Sequence, residues 1–228
     1  MLIWSELSKS SSNLILDIGS HTGAYPLASM VANPDSTVVS FEPFTPNYLR
    51  QKLNLRGNKL PDGNIFNFGV GDKHTELEFF TSTPENYLTS GGSFLKSNSA
   101  TESVKVTSVS LDTFLEKKLH SLIDLIKIDT EGFESKCLRG MQEIIRKSHP
   151  TLIFECITDE INETFKEILL PFGYKFYEID EKQFSIKKTE NLVPLKDGFG
   201  KINLSQTNRL ATAKHFDIIN QIKPLKIF

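Results

Sequence analysis

Short apolar runs alternate with stretches of helical period along the first half of the chain. "NLILDIG" is a continuous apolar run closing on one aspartate and a glycine, the pattern of a strand buried on both faces. Residues 22–32 then read as helix, with Pro26 tolerated in the first turn. "STVVSFEP" is a second strand. "TPNYLRQKLNLRG" is a second helix, with Thr45 as its N-cap, Pro46 at its first position and Gly57 at its end. "GNIFNFGVGD" reads as a third strand. This β-α-β-α-β order predicts a parallel sheet with right-handed crossovers.

The pattern breaks after Asp72. "TELEFFTS" and "ESVKVTSVSLDTFL" read as strands of mixed polarity, and residues 82–102 between them are rich in Ser, Thr, Gly and Asn. So long a polar connection suits a substrate loop or lid, with Gly91-Gly92 as hinge. The alternation then resumes. "SLIDLIKID" is a strand, "TEGFESKCLRGMQEIIRK" one helix, "PTLIFECI" a strand, and "DEINETFKEILLPFG" a helix stopped by Pro171 and Gly173. "YKFYEIDEKQFSIKK" reads as an antiparallel hairpin, and "LATAKHFDIINQI" as a short closing helix. The sum is one α/β domain over residues 1–228, a doubly wound, mostly parallel sheet with a C-terminal antiparallel hairpin. Residues 14–155 form its core and residues 156–228 complete the sheet. Ligands of such sheets bind beyond the carboxyl ends of the strands, at the switch in strand order.

With 39% hydrophobic residues the chain can bury a core, and a net charge of −2 argues against a globally basic nucleic-acid binder. Cys137 and Cys156 match neither a disulfide framework nor a zinc pattern, which suits a reducing compartment. "MLIWSELSKSSSNLI" lacks the parts of a signal peptide, and no apolar run approaches membrane-spanning length. A cytoplasmic protein without membrane contact is therefore expected.

Candidate chemistry gathers at the predicted strand ends. In Asp17-Ile-Gly19-Ser20-His21-Thr-Gly23, Gly19 permits a tight turn and Gly23 a close helix approach. The dinucleotide fingerprint is absent, and Asp17 would repel a pyrophosphate. The stretch suits a ligand bearing positive charge, such as the sulfonium and ammonium of S-adenosylmethionine, or else Asp17 and Ser20 simply cap a helix. Glu42, followed by Pro43, ends the second strand, where a carboxylate can accept from two adjacent ribose hydroxyls; taken alone, a surface glutamate at a strand end explains it too. Gly69 and Gly71 leave room for a flat ring, and Asp72 can accept from an adenine amino group; ordinary turn chemistry explains them equally well. Asp129, Glu131 and Glu134 cluster after "KID". Glu134 fits a helix N-terminus, whereas Asp129 ends a strand at the mouth of the cleft. Glu155 ends the next strand at the same rim.

These residues stand in motifs that resemble the FkbM family of S-adenosylmethionine-dependent methyltransferases. The matching stretches are "LDIGSHTG", "FEPFTPNYLRQKLNL", "GVGDKHTELEF", the "GGSF" loop, "VTSVSLDTFL", "LIKIDTEGFESKCLRG" and "PTLIFE". The resemblance implies a class I, Rossmann-like methyltransferase fold, usually acting on oxygen. It implies that Asp17, Gly19 and Gly23 belong to the loop that holds the methionine end of the cofactor, that Glu42 meets the ribose and that Asp72 lies near the adenine; Ser20, Pro43, Gly71 and Asp129 complete the expected cofactor-binding set. Asp129 and Glu131 match the signature after the fourth strand. Ser20-His21 departs from the commoner Ala-Asn type of pair.

For the chemistry, Asp129, Glu131, Glu155 and His21 are the candidates to take a hydroxyl proton, and Asp129 and Glu131 rank ahead of His21. His21 has the most suitable unperturbed pKa but sits among cofactor-facing residues. Converging carboxylates also suit Mg²⁺, although no metal ligand is assigned. The Asn/Asp-Pro-Pro-Tyr run often found in amino-group DNA methyltransferases is replaced by Asp129-Thr-Glu131-Gly, which favours a hydroxyl or carboxyl acceptor. A hydroxylated small molecule such as a sugar is the expected partner, nucleic acid is not, and a homodimer is left open. Two other readings stand beside this one: a non-enzymatic nucleoside- or partner-binding module on the same fold, and a methyltransferase of RNA or protein.

Overall fold

The computed structural model describes residues 1–81, 92–94, 102–194 and 207–214. Its main sheet has eight strands. β1 (Leu14–Ile18), β2 (Thr37–Phe41), β3 (Ile65–Phe66), β8 (Ile123–Ile128) and β9 (Thr151–Glu155) run parallel in the order β3-β2-β1-β8-β9. The chain winds outward from β1 to β3 on one side and from β8 to β9 on the other. The boundary between β1 and β8 is thus the switch point where a ligand crevice opens. β1 is buried along its whole length, as its unbroken apolar run predicts.

Beyond β9 the sheet departs from expectation. The hairpin forms from β10 (Lys175–Asp180) and β11 (Ser185–Thr189), yet it does not touch β9. A strand from the C-terminal tail, β12 (Asn208–Thr212), inserts between them and pairs antiparallel with both β9 and β10. The closing helix expected from Leu210 is therefore a strand up to Thr212; its part beyond Lys214 lies outside the described residues. Leu210 and Ala211 are both buried, so the segment fills a two-sided interior site. A buried edge at β9 would leave backbone groups without partners, and β12 supplies them.

The expected third strand is split. β3 joins the main sheet, whereas β4 (Gly69–Val70) turns into a second, four-stranded sheet. There β4 pairs with β7 (Glu102–Val109), β7 with β5 (Thr75–Thr81), and β5 with β6 (Gly92–Ser93). Asn67 makes the break between β3 and β4. Its side-chain amide donates to the carbonyls of Glu42 and Pro43 at 2.8 and 3.0 Å. Most of the expected lid, residues 82–91 and 95–101, lies outside the described residues, Gly91 of its hinge pair included.

The helices show three further differences. α1 (Leu2–Lys9) was not legible as a packed element, yet Ile3, Trp4 and Leu7 are buried, and Trp4 Nε1 donates to Ser29 Oγ on α2 (Ala24–Ala32) at 2.7 Å. α3 (Thr45–Gly57) starts one residue early, so Phe44 takes the cap position and the Thr45 hydroxyl donates instead to Asn67 Oδ1 at 2.8 Å. The long helix expected after β8 is two, α5 (Glu134–Arg139) and α6 (Gln142–Ser148). Gly140 at the break packs so close to the Gly71 carbonyl that a Cβ would overlap it. Asp112, on the short α4 (Leu111–Phe114), then caps α6 by accepting from the N–H groups of Glu143 and Ile144 at 2.9 and 3.1 Å. The helix at residues 160–169, α7 (Glu160–Leu169), forms as expected. Cys137 and Cys156 are both buried and unbridged. Among the described residues no helix is long and apolar enough to cross a membrane.

Candidate active site

The turn from β1 into α2 builds one wall. Gly19 has a left-handed φ of 79°, and a Cβ on it would overlap the Asp129 carbonyl oxygen, so only glycine lets the β1 and β8 ends meet here. His21 follows with φ of 50°, which aims its backbone N–H at Glu42 Oε2, 2.8 Å away. Phe44 N–H donates to Glu42 Oε1 at 2.9 Å, and the Asn47 side chain adds a further bond. Burial nonetheless pushes the Glu42 carboxyl up to about 7, against the opposing pull of these donors. Ser20 is used beneath the loop: its hydroxyl donates to Gln51 Oε1 at 2.7 Å, while Gln51 Nε2 donates to Ser40 Oγ at 2.7 Å. Gly23 packs on the same Gln51, where a Cβ would collide.

The end of β8 builds the opposite wall. Lys127 pairs with Asp129 Oδ2 at 2.5 Å, and its Nζ lies 4.1 Å from the centre of the Tyr25 ring. Asp17 stands beside Lys127 in the β1–β8 register, fully buried, with neither carboxylate oxygen hydrogen-bonded. Burial raises its carboxyl to about 7, although Lys127 pulls the other way. The loop after Asp129 is shaped by Glu134. Its Oε1 accepts from the N–H groups of Thr130 and Gly132 and from the Thr130 hydroxyl, at 2.8, 3.2 and 3.0 Å. Glu131 is thereby held at φ of 55°. Carboxylate oxygens of Asp129, Glu131 and Glu155 come within 4.8 Å of one another, the kind of convergence a divalent cation could use, although Asp129 already carries the Lys127 ammonium. Burial first, then its acidic neighbours, raises Glu155 to about 8 and also shifts Glu131 upward.

Between these walls lies a cavity of about 400 Å³, within the size range of small-molecule and cofactor sites. Of the residues expected from sequence, Gly19, Ser20, His21, Glu42, Pro43, Asp129 and Glu131 line it. Asp17 lies beneath the floor, and Gly23 serves the packing of α2. Gly71 and Asp72 are not on the lining. Gly71 packs against Ser108 and Phe133, and Asp72 pairs with Lys136 at 3.3 Å. Gly69, also expected at this edge, does line the cavity, together with Phe68 and Val70. Two features were missed. Lys127 was hidden in an apolar run, where its only signal was a charge between two isoleucines. The other is an aromatic wall: Phe79 meets Phe94 at 5.3 Å, and Phe94 meets Phe133 at 4.5 Å. Phe79 and Phe94 line the cavity from the second sheet.

Comparison with known proteins bears on this geometry. The methyltransferase FkbM domain model matches residues 17–178. Among similar solved structures, the methyltransferase FkbM from Methylobacillus flagellatus KT has 15% sequence identity and a TM-score of 0.55, with 88% of this chain and 44% of that chain covered. An rRNA methylase from Streptococcus thermophilus has 9% identity and a TM-score of 0.50, with 92% of each chain covered. At these identities the likeness shows a shared fold. The present chain spans less than half the length of the Methylobacillus protein. No curated protein matches the sequence.

Proposed function

Because the chain belongs to the FkbM methyltransferase family, matched over residues 17–178, we propose that it transfers a methyl group from S-adenosylmethionine to a hydroxyl of a sugar or similar polar small molecule. The observation that carries this reading is a single cavity with Glu42 on one wall and Asp129 with Glu131 on the other. The first wall suits a nucleoside. Glu42 has its oxygens already oriented by backbone N–H groups and keeps lone pairs for a ribose diol. Pro43, Phe68 and Val70 offer apolar surface to a flat base. Asp72, paired with Lys136, is not needed at the adenine in this arrangement.

The second wall suits the reacting end. The bound cofactor supplies an electrophilic methyl on a sulfonium, and the chain supplies position and charge. Asp129, with Lys127 on one oxygen, takes the cofactor's ammonium. Glu131 takes the acceptor's hydroxyl proton, because it lines the cavity beside Asp129, and partial burial with the Asp129 charge raises its proton affinity. Glu155 stands against Glu131 and holds a proton more readily still. His21 belongs to the Glu42 wall through its backbone, and this reading gives it no proton to move. Mg²⁺ has no assigned place in it.

Calorimetric titration with S-adenosylmethionine tests the cofactor. Wild type should bind, and Glu42→Ala should bind at least about tenfold more weakly. Absence of binding to wild type removes the proposal. Methyl-labelled cofactor offered with hydroxylated sugars, RNA and protein then tests the acceptor. Label found only in RNA or protein would replace the small-molecule reading.

A further inference from the structure

Among the described residues, Lys127 is the only buried lysine, 1% exposed within a parallel sheet. Burying an ammonium is costly unless it is paired, and the pairing here is specific. Residues two apart on a strand share a face, so Lys127 and Asp129 point the same way at the end of β8. The ammonium therefore fixes the direction of the Asp129 side chain, which keeps 31% of its surface open. Two groups hold the ammonium from other elements, and a third supports one of them. Asp17 attracts it from β1, the Tyr25 ring covers it from α2, and Trp4 of α1 backs that ring edge-on at 5.7 Å.

Both Lys127 and Asp129 line the cavity. We propose that Lys127 is a positioning residue: it clamps the Asp129 carboxylate at the cavity wall so that the remaining lone pairs receive the α-ammonium of the cofactor's amino-acid end. This rests on the reading of S-adenosylmethionine as cofactor. The competing role is purely structural, in which Lys127 only neutralises Asp17 and supports the sheet.

Two ligands separate these roles. S-adenosylhomocysteine and 5′-methylthioadenosine share adenosine and a thioether sulfur and differ in the amino-acid end. Both are titrated by calorimetry into wild type, Lys127→Met, Asp129→Asn and the double variant. Lys127→Met should weaken S-adenosylhomocysteine about tenfold or more and 5′-methylthioadenosine less than about twofold, and the loss should vanish in the Asp129→Asn background. Equal losses for both ligands, a loss that persists without the Asp129 charge, or no loss at all overturns the proposal. If wild type binds neither nucleoside, the cofactor reading itself falls, and the positioning role falls with it. Should Lys127→Met fail to fold because Asp17 then lacks a cation, Asp17→Asn serves as the reference and Asp17→Asn/Lys127→Met as the test variant.

Discussion

Gly19 shows how narrow the tolerance of this site is. Its left-handed φ already excludes most side chains, and a methyl group would meet the Asp129 carbonyl. Gly19→Ala should therefore separate the ends of β1 and β8, destabilise the fold by roughly 1–3 kcal/mol and abolish S-adenosylmethionine binding, read by urea denaturation and calorimetry. A stable variant that binds normally would show that the two strand ends can part without harm. The placement of Glu42 and Asp129 on the cavity wall was legible because each ends a buried parallel strand at the carboxyl edge, where such sheets open their crevice. Lys127 was not, since a sequence does not say which charged residue in an apolar run faces a cavity. Asp72 was misplaced for a related reason. The chain leaves the main sheet at Asn67, and a backbone redirected by one side-chain amide carries the next residues away from where strand counting puts them.

At the scale of elements, the missed features are those decided by contacts distant in sequence. "TEGFESKCLRGMQEIIRK" has helical character throughout, and nothing local announces that Gly140 must pass under the Gly71 carbonyl or that Asp112 caps a new helix from 31 residues away. Helix propensity says that Gly140→Ala stabilises by up to ~1 kcal/mol. The packing says the reverse, a loss of about 1–3 kcal/mol, whereas Gly57→Ala at the exposed end of α3, where a Cβ meets nothing within 4 Å, should be neutral or mildly stabilising. Denaturation midpoints of the two variants check both signs. β12 poses the same problem in a sheet. A five-residue strand in the tail is too short to outweigh a helical pattern beside it, and only the open edge of β9 selects it. Ala211 pairs with Phe176 on one side and Leu152 on the other, so Ala211→Pro should cost about 3 kcal/mol or more and yield an unstable, aggregation-prone protein. A well-folded Ala211→Pro protein would mean that β12 is dispensable to the sheet.

Across the whole molecule, the buried carboxyls at and around the cavity couple stability and ligand binding to pH with opposite signs. Asp17 and Glu42 stand at about 7 and Glu155 at about 8 in the folded chain, all raised first by burial, against ordinary carboxylate values near 4 once unfolded. Between about pH 4.5 and 8 the folded state therefore binds more protons than the unfolded state. Stability rises as pH falls through that window and declines as these groups ionise in place. The ligand-free protein should melt higher at pH 5.5 than at pH 8, by roughly 2–4 °C for each kcal/mol gained. Asp17→Asn removes one titrating group and should flatten that slope. Binding follows the opposite rule. Ribose hydroxyls are best accepted by ionised Glu42, so the rise in melting temperature produced by S-adenosylmethionine should shrink as pH drops below about 7, and Glu42→Gln should make the remaining shift small and nearly independent of pH. Differential scanning calorimetry across this window, with and without cofactor, reads both slopes in one series. A ligand-free protein that loses stability from pH 8 to pH 5.5 would mean that Asp17, Glu42 and Glu155 are not held protonated by burial. A cofactor-induced shift that stays constant in wild type would take Glu42 out of the binding site.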